Sequence, residues 1–216
     1  MNNINRFSYL NKELRDPNED YLTNPDPNRF TNQIGVYNPD FWKKYNEINN
    51  CYSYACNLRV NEGKKVPSPG YCYLGREPTD SKEVIDGAKK DGIIFIDDLI
   101  EGCKNIVGTD KAPVWIVALF TYSIPSTGQF GYHWFRKVYD KENGNQFWAN
   151  KFFTGKVTNI GVNGNIILDP EVESKKMFDN QEDWQNYMWH GYFLVPNGIS
   201  TPESQDSYTR ICNENR

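Results

Sequence analysis

Up to residue 48 the apolar positions are sparse and mostly aromatic (Phe7, Tyr9, Phe30, Tyr37, Phe41, Trp42), set among Asn, Asp and Pro. That pattern predicts an ordered arm or a set of turns wrapped on the body rather than a separate domain. Residues 50–60 read as a helix, begun by Asn49 or Asn50, whose short amide side chain accepts a bond from an orphan backbone N–H. Pro67-Ser68-Pro69-Gly70 then breaks the chain. Thr79-Asp80-Ser81 caps a second helix through about Lys90, with Val84, Ile85 and Ala88 as its apolar stripe and Gly92 as its stop. Ile93 to Val107 fits two patterns: Ile93-Ile94-Phe95-Ile96 suits a strand, while Ile96, Leu99, Ile100 and Cys103 follow a helical stripe.

From Ala112 onward the pattern turns to β. Pro113 to Ser123 reads as one strand, Tyr132 to Asp140 as a second and Gln146 to Thr154 as a third. Lys156–Ile160 and Ile166–Asp169 form a further hairpin around Asn163-Gly164. Trp184 to His190 reads as a short helix or turn, and Gly191 to Val195 as a last strand stopped by Pro196. A helix followed by an antiparallel sheet is an α+β order. The expected organisation is a single domain over residues 1–216, with an arm (1–48), a core (49–196) and a polar tail (197–216).

The second and third strands allow a geometric test. With Asn143-Gly144 as a two-residue turn, His133 faces Thr154 and Lys137 faces Asn150. Alternation then puts His133, Phe135, Lys137, Trp148, Asn150 and Phe152 on one face of the sheet. Trp134, Val138, Phe147, Ala149 and Phe153 fall on the other, more apolar face.

Composition narrows the function classes. Hydrophobic residues make up 38% of the 216 residues and aromatics 15%, so Trp, Tyr and Phe must build much of the core. A net charge of -4 and a pI near 5.3 argue against a nucleic-acid surface. The pairs Lys64-Lys65, Lys89-Lys90 and Lys175-Lys176 read as solvated positions. Met1 to Arg6 lacks the basic start and apolar stretch of a cleavable signal peptide, and no run approaches the ~20 apolar residues of a membrane helix. Five cysteines leave one over in any disulfide scheme, so the thiols are read as reduced and the protein as made in a cytosol. No cofactor is expected: Gly161-Val162-Asn163-Gly164 is hairpin chemistry rather than a phosphate loop. Cys51, Cys56 and Cys72 with a histidine miss the ligand spacings of compact zinc sites. Asp97, Asp98 and Glu101 read as a solvated face.

The sharpest chemistry lies in Asn49-Asn50-Cys51-Tyr52-Ser53-Tyr54-Ala55-Cys56 together with Tyr132-His133-Trp134-Phe135-Arg136. A cysteine at a helix start sits where free N–H groups favour a thiolate, and a histidine on a strand behind it can take the proton. Asn150 shares the histidine's face on the next strand. Cys51, Tyr54 and Ala55 as Cys-x-x-Tyr-Ala, His133 at a strand start and Asn150 on the following strand together resemble the papain-like cysteine hydrolases. Among these the chain is most similar to the NlpC/P60 and CHAP groups, over residues 49–155.

The resemblance implies a papain-like α+β core, with a helix carrying the cysteine packed on an antiparallel sheet, and a metal-free cysteine peptidase or amidase. Cys51 would be the nucleophile, His133 the general base and then acid, and Asn150 the group that holds the imidazole tautomer. The Cys51 backbone N–H with the Asn50 side chain would stabilise the oxyanion. Tyr52, Trp134 and Trp148 are candidate substrate-lining residues, from an aromatic set that otherwise reads as core. His190 is the rival base, and Asp169, otherwise a turn residue before Pro170, the rival orienting group. Expected partners are a peptide, peptidoglycan stem peptides or protein side chains, with no nucleic acid and no membrane insertion. A wall substrate would require release by lysis or by a dedicated injection system. Two further classes stay open: a binding or structural protein of viral or phage type in which Cys51 merely packs, and an effector or toxin that cleaves or deamidates a host protein.

Overall fold

From Val114 to Tyr122 the chain is buried without interruption, the mark of a central strand covered on both faces. The computed structural model describes residues 35–59, 66–96, 106–107 and 114–196. Most of the expected arm, the tail after residue 196, and Lys64, Lys65, Asp97, Asp98, Glu101 and Cys103 lie outside the described residues.

The described elements are α1 (Pro39–Lys43), a 3-10 turn (Asn46–Ile48), α2 (Cys51–Ala55), α3 (Tyr71–Leu74), α4 (Ser81–Lys90), β1 (Ile94–Ile96), β2 (Val114–Ile124), β3 (Gln129–Tyr139), β4 (Gln146–Lys151), β5 (Val157–Thr158), α5 (Pro170–Asp179) and β6 (Gln185–Pro196). The strands form one six-stranded sheet in the order β1-β6-β2-β3-β4-β5, with antiparallel pairings throughout. The protein is α+β.

Alternation along β2 sorts the core. Trp115, Val117 and Leu119 pack with Trp134, with Cys51 and Tyr52 of α2 and with Val84 and Ala88 of α4. Val114, Ile116, Ala118, Phe120 and Tyr122 pack on the opposite side with Phe135, Trp148 and Met177 of α5. Trp42 of α1 and Tyr54 of α2 close over Val138, Phe147 and Ala149.

Each helix has a local cause. Asn50 and Ser53 cap α2 reciprocally: the Asn50 side chain accepts from Ser53 N, and Ser53 Oγ accepts from Asn50 N. The expected helix over residues 50–60 stops at Ala55, because Asn57 turns left-handed at φ 55° and its end is taken up from the sheet. Trp115 Nε1 donates to Ala55 O at 2.7 Å, and Arg136 Nη1 to Asn57 Oδ1 at 2.7 Å. In α4, Asp80 accepts from Glu83 N, Val84, Gly87 and Ala88 are buried, and Gly92 follows at φ 102°.

Two expectations are corrected. Trp184 to His190 is not a helix or turn: β6 runs from Gln185 to Pro196, and register shifts opposite Leu119/Phe120 and Thr121/Ser123 absorb the residues that break its alternation. Helix α5 was not expected, although Asp169 at its N-cap, Pro170 at its first position and Glu171 and Glu173 in its first turn are a start signal.

The β3–β4 hairpin differs from the two-residue turn by two positions. Asp140 N donates to Asn145 O and Gly144 N to Asp140 O, both at 2.9 Å, so Tyr139 pairs with Gln146 and Phe135 with Asn150. A slip of two residues preserves every face. His133 and Asn150 therefore share a side of the sheet, as the shorter turn would also have placed them.

Candidate functional site

β4 pairs with β3 only as far as Phe135–Asn150. Along the first half of β3 the start of α2 takes its place. A cavity of about 160 Å³ opens there, lined by Asn50, Cys51, Tyr122, Phe130, Gly131, Tyr132, His133, Phe152 and Phe153. The geometry thus brings Asn50, Cys51 and His133 to one cavity. Gly131 makes room for it: a Cβ at that position would lie 2.3 Å from the Tyr122 ring. Tyr122 cannot give way easily, since its ring is stacked on Trp184 at 3.6 Å.

His133 is buried at 2% exposure among the rings of Phe120, Phe135 and Phe152, at centroid distances of 5.6, 5.1 and 5.3 Å. A side-chain hydrogen bond with Asn150 favours the ring N–H, while burial lowers the imidazole pKa to about 3. Nε2 is buried with no hydrogen-bond partner among the described residues. Nδ1 is therefore the nitrogen that donates to the Asn150 side-chain oxygen, and the Nε2 lone pair is left free.

The Cys51 thiol donates to Tyr132 O at 3.8 Å. The backbone N–H groups of Trp134, Tyr52 and Cys51 itself favour the charged sulfur, as does the charge of Lys151, yet burial dominates and pushes the thiol up to about 12. The N–H groups at the helix start favour the thiolate as expected, but the sulfur is out of water and desolvation outweighs them. At neutral pH the resting pair is a neutral thiol and a neutral imidazole.

Asn50 lines the cavity, but its side chain is engaged. Oδ1 accepts from Ser53 N, and Nδ2 donates to Pro67 O at 2.6 Å. The Cys51 backbone N–H is left as the simpler oxyanion donor. Tyr52, Trp134 and Trp148 are not brought to the cavity. Tyr52 and Trp134 pack on each other at 5.6 Å in the core under α2. Trp148 lies on the opposite face beside Tyr192. His190, the rival base, sits on β6 with Nε2 2.8 Å from Thr121 Oγ1, away from the cavity lining. Asp169, the rival orienting group, is the N-cap of α5 and accepts from Glu171 N and Val172 N.

Two buried groups were missed in the sequence. Lys151 is fully buried, and its Nζ donates to Asn46 O, Phe153 O and Gly155 O at 2.5, 2.8 and 2.8 Å. Its signal was parity: a lysine on the apolar face of Phe147 and Ala149. Asp91 Oδ2 accepts from Tyr52 Oη at 2.7 Å and Gly70 N at 2.8 Å. Asp91 Oδ1 has no partner among the described residues, and burial raises the carboxyl pKa to about 7. No signal in the sequence marked it.

Among the described residues no three His, Cys, Asp or Glu side chains gather closely enough to hold a metal ion, and no helix is long and apolar enough to cross a membrane. Comparison of the chain with protein-family models, curated proteins and solved structures finds no match.

Proposed function

We propose that the protein is a cysteine hydrolase acting on an amide bond of a peptide substrate, with Cys51 as nucleophile, His133 as base and Asn150 as the group that orients the ring. The observation that carries this reading is the buried, unpartnered Nε2 of His133, on a ring tied to Asn150, in a cavity that Cys51 also lines. Buried polar atoms are almost always hydrogen-bonded, so an orphan nitrogen on a ring that lines the same cavity as a thiol asks for an explanation. A proton acceptor waiting for the thiol proton is one. The order of parts, a cysteine at a helix start, then a histidine strand and a polar residue on the next strand, supports a papain-like core.

The step follows from the protonation states. The thiol proton moves to Nε2 as sulfur attacks the carbonyl carbon, and the C=O electron pair moves to oxygen beside the Cys51 N–H. The imidazolium keeps its Nδ1–H bond to Asn150 and returns the Nε2 proton to the leaving amine as the C–N bond breaks. Water then cleaves the thioester. Stem peptides of peptidoglycan, peptide bonds and protein side-chain amides are the substrate classes within this chemistry.

The test is amine release from peptidoglycan stem peptides and from a panel of fluorogenic peptide amides, by the parent and by Cys51→Ala, His133→Ala and His190→Ala. The first two variants should be inactive to a similar degree, because nucleophile and base act as one unit, and His190→Ala should keep most activity. The burial of Cys51 at 6% exposure and its raised pKa favour a second reading, a non-catalytic binding protein with a structural thiol. That reading wins if no amide is turned over by the parent and Cys51→Ala sharply lowers the melting temperature.

A further inference from the structure

We propose that Lys151 is a positioning residue for Cys51: its buried ammonium group ties together the two segments flanking the thiol and supplies the positive charge that favours the thiolate. This rests on the reading of Cys51 as the nucleophile.

Lys151 ends β4 and points, by alternation, to the side of the sheet that carries α2. Among the described residues no carboxylate pairs with it; the three donors of its ammonium go to backbone carbonyls instead. Asn46 opens the 3-10 turn that leads into α2, whereas Phe153 and Gly155 belong to the turn after β4, whose Phe152 and Phe153 wall the cavity. One cation thus joins both sides of the thiol's surroundings. A buried ammonium held only by neutral oxygens is costly, and a methionine would fill the same space without that cost.

The charge has a recipient. The titratable groups acting on or lining the space around Cys51 are Tyr122 on β2, Tyr132 and His133 on β3, and Lys151 on β4. Burial keeps both phenols and the imidazole neutral. Lys151 is the group whose charge lowers the thiol pKa, and a Cys51 thiolate in turn raises that of Lys151.

The test is the rate of Cys51 alkylation by iodoacetamide from pH 7 to 10, read at Cys51 by peptide mapping, with Cys51→Ala as blank. At pH 7.5 Lys151→Met should react about tenfold more slowly than the parent, and Lys151→Arg should stay close to it. Burial lowers the Lys151 pKa to about 8, so the parent's advantage should fade above that pH, whereas that of Lys151→Arg should persist. Equal rates for the parent and a folded Lys151→Met would overturn the proposal. If Lys151→Met does not fold, the parent and Lys151→Arg decide: superimposable pH profiles overturn it, and an inflection near pH 8 in the parent alone supports it. Alkylation needs no substrate. Separated rates without amide turnover would therefore sink the hydrolase reading and leave the effect of Lys151 on the thiol standing.

Discussion

Replacing Asp91 by Asn is expected to remove a pH dependence from the stability of the fold. Asp91 caps the end of α4 and accepts from Tyr52, the residue after Cys51, and from Gly70 at the start of α3. Burial raises its carboxyl pKa from 3.8 to about 7. As pH rises, the unfolded chain releases this proton first, and the folded chain holds it until near neutrality. The contribution of Asp91 is therefore full below about pH 4, falls between about 4 and 7, and is lost above that. Within the window the slope is ~1.4 kcal/mol per pH unit, which integrates to ~2 kcal/mol between pH 5 and 7. Asn matches the protonated carboxyl in shape and keeps an oxygen for Tyr52 and Gly70, but does not titrate. Urea unfolding of both proteins at pH 5, 6, 7 and 8 gives the stability difference at each pH, and contributions common to both cancel. The variant should gain on the parent by ~2 kcal/mol from pH 5 to 7 and level off by pH 8. A difference constant within about 0.5 kcal/mol over that range, the size of an ordinary surface substitution, would mean that Asp91 is ionised in the folded chain and that the argument from burial is wrong.

Asn150→Leu should destabilise the fold by about 1–3 kcal/mol in urea unfolding, because Nδ1 of a buried His133 loses its acceptor. In any amide turnover assay it should lower kcat more than it raises KM, since the ring loses its fixed tautomer. Gly131→Ala forces a methyl group to within 2.3 Å of a Tyr122 ring that Trp184 holds in place. It should cost about 1–3 kcal/mol and slow alkylation of Cys51 by narrowing the cavity. Gly87→Ala would put a Cβ 2.8 Å from Gly70 Cα and 2.7 Å from Pro69 C, both rigid backbone atoms. Its melting temperature should fall even though alanine favours a helix over glycine by about 1 kcal/mol; an increase would refute the contact.

Local chemistry was legible along the chain. Asn50 before Cys51 and Asp80 before Ser81 both mark helix starts that the structure contains, because a cap is satisfied within four residues and needs no partner from elsewhere. The apolar stretch from Pro113 to Ser123 announced the strand that the structure contains as β2. Face parity around Asn143-Gly144 put His133 and Asn150 together despite a turn longer than expected, since a slip of two residues leaves alternation unchanged.

What failed were readings in which a distant element decides. Helix α2 stops early because Trp115 and Arg136 reach its end from the sheet. Trp184 to His190 becomes a strand because β2 pairs with it through two register shifts. Tyr52, Trp134 and Trp148 belong to an aromatic set that reads mainly as core, with some of it able to line a cleft, and packing against α4, β6 and α5 assigns them to the core.

The sequence by itself determined the α+β order, the capped start that carries Cys51 and the common face of His133 and Asn150, since these depend on spacing and alternation within short segments. Only the tertiary structure decided that Cys51 and His133 line one cavity and that burial keeps both neutral. It alone decided that Lys151 is buried where its charge acts on the thiol and that Asp91 holds its proton, because desolvation is set by what packs around a group and not by its neighbours along the chain.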